Sequence, residues 1–342
     1  LESLLLYIGI VIIASAVVWK ASGLLEKSAQ SLSKYYQLPP LVQGTIITAV
    51  GSSFPELSTT VVSTLIHGEF DLGVAAIVGS AIFNILFIPG LSGVLAGKIS
   101  IDSMLVYKDA QFYITSVAVL LLTFSIAVIY YPVASNQIEG EITRGIALIP
   151  ITLYLLYLFL QQQDTKEFQK EMKENSHKPV KEKGIGKEWM KLLGSLVLIV
   201  AGVEGLLRSA IFFGDYFQTP NFFWGVTVVA AATSIPDAFV SVRVARAGKG
   251  NVSIGNVLGS NIFDLLIAIP AGILIAGSSI VNFSVAVPMM LFLTLGTIVL
   301  FAFLRTGLYL KKWESWMLLL LYAFFFLWMA LENFDVVNWV PD

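Results

Sequence analysis

The 342-residue sequence has no cysteine and only two histidines, His67 and His177. It therefore has no disulfide framework, no thiolate metal site and no cysteine nucleophile. Two imidazoles so far apart do not suggest a histidine metal cage. Charge is also scarce. Asp, Glu, Lys and Arg make up 13% of the residues, about half the share of a soluble domain. A net charge of −2 offers no attraction to polyanions, so a nucleic-acid partner is excluded along with a soluble globule and a disordered chain. Apolar residues fill the gap at 56%. The surroundings this composition fits are a lipid bilayer, and the fold class is all-α integral membrane.

A spanning helix needs about 20 mostly apolar residues. Ten such runs occur, at 3–24, 39–66, 72–97, 110–132, 144–162, 189–213, 220–246, 252–277, 280–304 and 313–333. Ala14-Ser15-Ala16 imitates a signal-peptidase site, but Glu2 stands where a signal carries basic residues, so the first run reads as a retained helix. The start at Leu1 instead of Met reads as a trimmed chain. If ten spans alternate, 19 of the 21 Lys and Arg residues fall in loops after odd-numbered spans, while Glu69, Asp71, Glu139, Glu141, Asp215, Glu332 and Asp335 fall on the other side. The positive-inside rule then places both termini outside and the lysine-rich 163–188 linker in the cytoplasm, in a cell (plasma) membrane. Trp19, Trp189, Trp313, Trp316 and Trp339 are expected as interfacial anchors at span ends.

The chain also repeats itself. QLPPLVQGTIITAVGSSFPE (37–56) matches QTPNFFWGVTVVAAATSIPD (218–237) at an offset of 181, and GSAIFNIL (79–86) matches GSNIFDLL (259–266) at 180. Each half, 1–162 and 189–342, holds five spans. An odd number turns the second half upside down, the layout of secondary transporters with a site between the repeats. Pro55 and Pro236 each sit inside a span, where proline leaves a carbonyl without its helical partner, so broken helices are expected at mid-membrane. A carboxylate follows each proline, Glu56 and Asp237, and a third, Asp264, lies in the eighth span. Such groups cost roughly 2.5–3.5 kcal/mol at a helix centre and default to function. Ser80 and Asn84 share one helix face, as do Ser260 and Asp264. All the donors are oxygens, which suits Ca²⁺ and Na⁺. Glu204 lies one turn from Arg208 and reads as a local ion pair.

The two repeats, 44–90 and 225–271, resemble the alpha-1 and alpha-2 repeats of the calcium:cation antiporter superfamily, specifically prokaryotic-type sodium/calcium exchangers. GSSFPEL, HGEFDLGVAAIVGSAIFNIL, SIPD, VARAGKG and GSNIFD look most like the potassium-dependent branch. The resemblance implies a central calcium site at Glu56 and Asp237, assisted by the carbonyls of Ser52 and Thr233. It implies sodium sites lined by Ser53, Ser80, Asn84, Ala49, Ala230, Ser234, Ser260 and Asp264. It also implies alternating access by spans one and six sliding across the other eight. Asp237 departs from the glutamate commoner in prokaryotic exchangers. The implied cargo is Ca²⁺ against Na⁺, with K⁺ or H⁺ as a further participant. No resident cofactor, catalytic residue or obligate protein partner is expected. A Ca²⁺/H⁺ antiporter is the nearest rival. A channel fits inverted broken helices less well, and an intramembrane aspartyl protease lacks its Gly-x-Gly-Asp signature.

Overall fold

The computed structural model describes residues 1–36, 48–103, 105–133, 138–171 and 185–333. Ten helices run through them: α1 Glu2–Tyr35, α2 Thr48–Ile66, α3 Phe70–Ala96, α4 Leu105–Tyr130, α5 Arg144–Glu171, α6 Ile185–Phe217, α7 Asn221–Arg246, α8 Gly250–Ala276, α9 Phe283–Arg305 and α10 Lys312–Asn333. Nine are long and apolar enough to cross a membrane, and the serine- and threonine-rich α2 completes the ten. The protein is an all-α integral membrane protein. Two of the expected boundaries move. The first helix continues past residue 24 to Tyr35, so Trp19 lies near its middle and not at an end. The linker also shortens, because α5 runs to Glu171 and α6 starts at Ile185. The 37–47 half of the first repeat motif, Trp339, Asp335 and the middle of the linker lie outside the described residues.

Two short ribbons fix which helix ends share a side. Gly97 (φ 82°) and Gly277 (φ 99°) stop α3 and α8 in the left-handed region, where a residue without Cβ is favoured. Each is followed at once by a strand, β1 Lys98–Ser100 and β3 Ser278–Asn282. With β2 Glu139–Thr143 and β4 Tyr309–Lys311, they pair antiparallel as β1·β4 (Lys98 opposite Lys311) and β2·β3 (Glu139 opposite Asn282). The ribbons sit at opposite ends of α4 and of α9. The equivalent Gly–strand units of the two halves therefore lie on opposite sides, which is the inversion of the repeats.

The core is divided. A large cluster built on α3, α4, α7, α8, α9 and α10 includes Ile77, Ile85, Tyr113, Phe124, Leu266 and Phe325. A smaller one joins α1 and α6 to α2, α3 and α7 through Ala14, Val18, Leu25, Val62, Leu72, Val203, Leu207 and Val229. The pairing of α1 with α6 is an extensive helix contact. It is made close by Gly202, where a Cβ would stand 2.7 Å from Val18 Cγ2, the small-residue contact that membrane helices use to approach. Ile12, Ile13 and Val197 on the outside of this pair are left exposed for lipid.

Candidate ion site

Four helices meet at the centre of the molecule, and small residues let them. A Cβ at Gly79 of α3 would collide with the backbone of Val226 in α7, and one at Gly225 would come within 2.8 Å of the Leu72 carbonyl. Both helices therefore pack backbone to backbone, and their polar side chains face each other. Pro55 and Pro236 are carried inside α2 and α7, with no N–H to close the helical bond to Gly51 and Ala232. The further interruptions are wide π turns, Phe83–Phe87 in α3, Gly225–Val229 in α7 and Asp264–Ala268 in α8. Among the described residues, the breaks expected at mid-membrane thus take the form of proline sites and π turns, without unwound loops. Two of these turns begin at or beside the matched residues Asn84 and Asp264.

Glu56, Asp237, Asp264, Asn84, Ser53, Ser80, Ser234, Ser260 and Thr233 are all buried. Ser80 Oγ and Ser234 Oγ are 2.7 Å apart, joining the halves, and Ser80 also donates to Glu56 Oε1 at 3.4 Å. Thr233 lies beside Glu56, Ser260 beside Asp237, and Ser53 beside Asp264 without closing a hydrogen bond. The hydroxyls of Thr233 and Ser260 are turned back onto their own helices, to Val229 O at 3.1 Å and Val257 O at 3.2 Å. Ser52 is half-buried beside Asp237, and Ala230 is buried at the end of the α7 π turn. Ala49 falls in the first turn of α2, where side chains are not described.

Within this site five buried oxygens find no donor among the described residues: Ser53 Oγ, Glu56 Oε2, Asn84 Oδ1 and both oxygens of Asp264. Leaving such atoms bare is expensive. No three acidic or histidine side chains among the described residues converge to hold a metal by themselves. A cation here would need the hydroxyl, amide and backbone oxygens between the carboxylates.

Two residues that the sequence reading did not single out complete the site. Asn261 accepts from Asn84 Nδ2 at 2.9 Å and donates to Ala81 O and to Tyr113 OH, each at 3.1 Å. This consumes the donor end of Asn84 and leaves its oxygen facing inward. Asn256 donates to Asp237 Oδ1 at 3.3 Å. Its spacing of four from Ser260 was the available signal; Asn261 had no such signal, because its partners come from α3 and α4. Glu204 pairs with Arg208 at 2.5 Å as expected, and also with His67 at 2.9 Å.

An inverted ten-helix membrane protein with an oxygen-lined centre is the architecture of an ion exchanger, and the family model described as sodium/calcium exchanger protein matches residues 6–162 and 187–331. The chain belongs to that family. It is 26% identical to the sodium/calcium exchanger MaX1 of Methanosarcina acetivorans, over 94% of this chain and 96% of the relative. Among solved structures, the sodium-calcium exchanger NCX_Mj superposes with a TM-score of 0.60 at 20% identity, covering 94% of this chain and 97% of that one. The H⁺/Ca²⁺ exchanger CAX superposes with a TM-score of 0.69 at 15% identity, over 95% and 81%. These two likenesses establish the fold.

Proposed function

We propose that the chain is a secondary active antiporter that exchanges Na⁺ for Ca²⁺ by alternating access. The observation that carries this reading is the set of five donorless oxygens at the junction of the inverted halves. A hard cation is the ligand that such oxygens accept, and Ca²⁺ takes about 6–8 oxygens at about 2.3–2.6 Å. Glu56 and Asp237 are the central calcium ligands. The Ser52 and Thr233 carbonyls assist them, and Ala49, Ser53, Ser80, Asn84, Ala230, Ser234, Ser260 and Asp264 line sodium positions. Charge supports exchange: with all three carboxylates ionised, three Na⁺ neutralise the site and one Ca²⁺ leaves −1. A proton on Asp264 would supply the remaining charge, and a co-bound K⁺ is the alternative.

The separate hydrophobic cluster under α1 and α6 supports these helices as the moving pair. Neither carries a carboxylate of the central site, so both can slide past it while the other eight helices stay in place. The basic loops after odd-numbered spans put both termini outside and the β1·β4 ribbon in the cytoplasm. Coupling is tested by radioactive calcium uptake into proteoliposomes with sodium, potassium and proton gradients imposed one at a time. Uptake driven by an outward sodium gradient at fixed pH is the expected result. Uptake that follows only the proton gradient would assign the chain to Ca²⁺/H⁺ exchange.

A further inference from the structure

Beside the central site a cavity of about 50 Å³ opens between α1, α2, α7 and α8, with Trp19, Ser22, Glu26, Ser52, Asp237 and Asn256 on its wall. Asn256 lies in the first half of α8, whose start packs on Ser100 of β1 and whose Asn251 bonds Asp102. The cavity therefore lies on the β1·β4 side of Asp237. One water needs about 10–15 Å³ of such space, so the cavity fits a cation with a few waters. Ser22, Glu26, Ser52, Asp237 and Asn256 each bring a side-chain oxygen to its wall.

Two features of α1 aim at this space. Ser22 is 3% exposed and its Oγ has no partner among the described residues. Ser15 and Ser209 bond back into their own helices, to Val11 O and Gly205 O, each at 2.7 Å, whereas Ser28 on α1 is unpartnered among the described residues like Ser22 but does not line the cavity. One turn on, Glu26 is half-buried and, among the described residues, accepts from the neutral Gln30 amide alone, at 3.0 Å. Lys27 is near it but exposed, and Glu26 closes no ion pair among the described residues. The acid on the partner helix α6 is treated differently, since Glu204 is held by both His67 and Arg208. A carboxylate left unneutralised inside a membrane helix has a cost that function must offset.

We infer that Glu26 and Ser22, facing Asp237 across this cavity, form a transient cation subsite on the β1·β4 route to the central site. It takes the same hard cations, Ca²⁺ and Na⁺, and so rests on the antiporter reading. Because Glu26 rides on α1, the subsite is assembled only when α1 sets it beside Asp237. Ions arriving from that side are concentrated by the Glu26 charge, whereas on the opposite side the α6 acid is already neutralised.

The test is Glu26→Gln, which keeps an acceptor for Gln30 and removes the charge. Initial rates of calcium exchange are measured from each face of proteoliposomes of known orientation. The readout is the ratio of the two half-saturating Ca²⁺ concentrations. Clefts lined by charge of one sign raise capture by about 10–1,000-fold; removing one of those charges is expected to shift the ratio about three- to tenfold toward weaker capture on the β1·β4 face. Glu26→Asp should restore it, and Ser22→Ala should move it about twofold in the same direction. A ratio unchanged in Glu26→Gln, including the case where both faces weaken equally as a merely structural role requires, would overturn the subsite. Absence of calcium exchange from either face in the wild type would instead overturn the antiporter reading on which the subsite depends.

Discussion

Replacing Asn261 with Ala probes how the site is oriented. The wild-type side chain is fully buried and makes three hydrogen bonds, to Asn84, Ala81 and Tyr113. Interhelical polar contacts in membranes average about 0.6 kcal/mol each, so the substitution should cost about 2 kcal/mol of stability. The larger effect falls on the ion. Without Asn261, nothing described fixes which end of the Asn84 amide faces inward, and the NH₂ end repels a cation. Residues that orient metal ligands are worth roughly 10–100-fold in affinity. Sodium binding by Asn261→Ala, measured as the Na⁺ dependence of calcium exchange by the purified protein in proteoliposomes, is expected to weaken at least tenfold. Adding Asn84→Asp, whose two oxygens make orientation immaterial, should recover part of that loss. Affinity within twofold of wild type in a folded Asn261→Ala protein would refute the argument. So would a loss that the second substitution leaves untouched.

The absence of native cysteine makes topology directly testable: Glu141→Cys should react with an impermeant thiol reagent from outside and Lys249→Cys only from inside, and the reverse would overturn the orientation. Gly202→Val places a Cβ 2.7 Å from Val18 Cγ2, so this overpacked variant should lose about 1–3 kcal/mol in chemical or thermal unfolding; an unchanged transition would contradict the close α1–α6 contact. If a proton on Asp264 balances the calcium-loaded site, wild-type exchange should be indifferent to K⁺ and Asp264→Asn nearly silent for calcium flux. Wild-type exchange that stops when K⁺ is withheld at constant membrane potential would assign the compensation to K⁺.

Much of the architecture was legible because membrane burial leaves a strong mark on sequence. Apolar runs gave the ten helices, and paired motifs such as GSSFPE and ATSIPD exposed the inverted halves. Prolines followed by carboxylates located the centre, because both residue types are costly there and need a reason. What was not legible depends on how distant segments rotate against each other. The three-residue strand β1 has no local signature, and exists because Lys98–Ser100 meets Tyr309–Lys311 more than 200 residues away. The role of Asn261 needs Tyr113 of α4 and Ala81 of α3 brought to the same point. Glu26 was hidden because the segment after residue 24 reads as a basic loop, whereas it continues α1 into the protein.

That the transported calcium is held by Glu56 together with Asp237 is tested most directly by comparing sodium-gradient-driven calcium uptake of wild type and Glu56→Ala in proteoliposomes, with both proteins matched for reconstituted amount and monodispersity. Uptake is expected in the wild type and none above protein-free vesicles in Glu56→Ala. Uptake by Glu56→Ala at the wild-type rate would contradict this assignment.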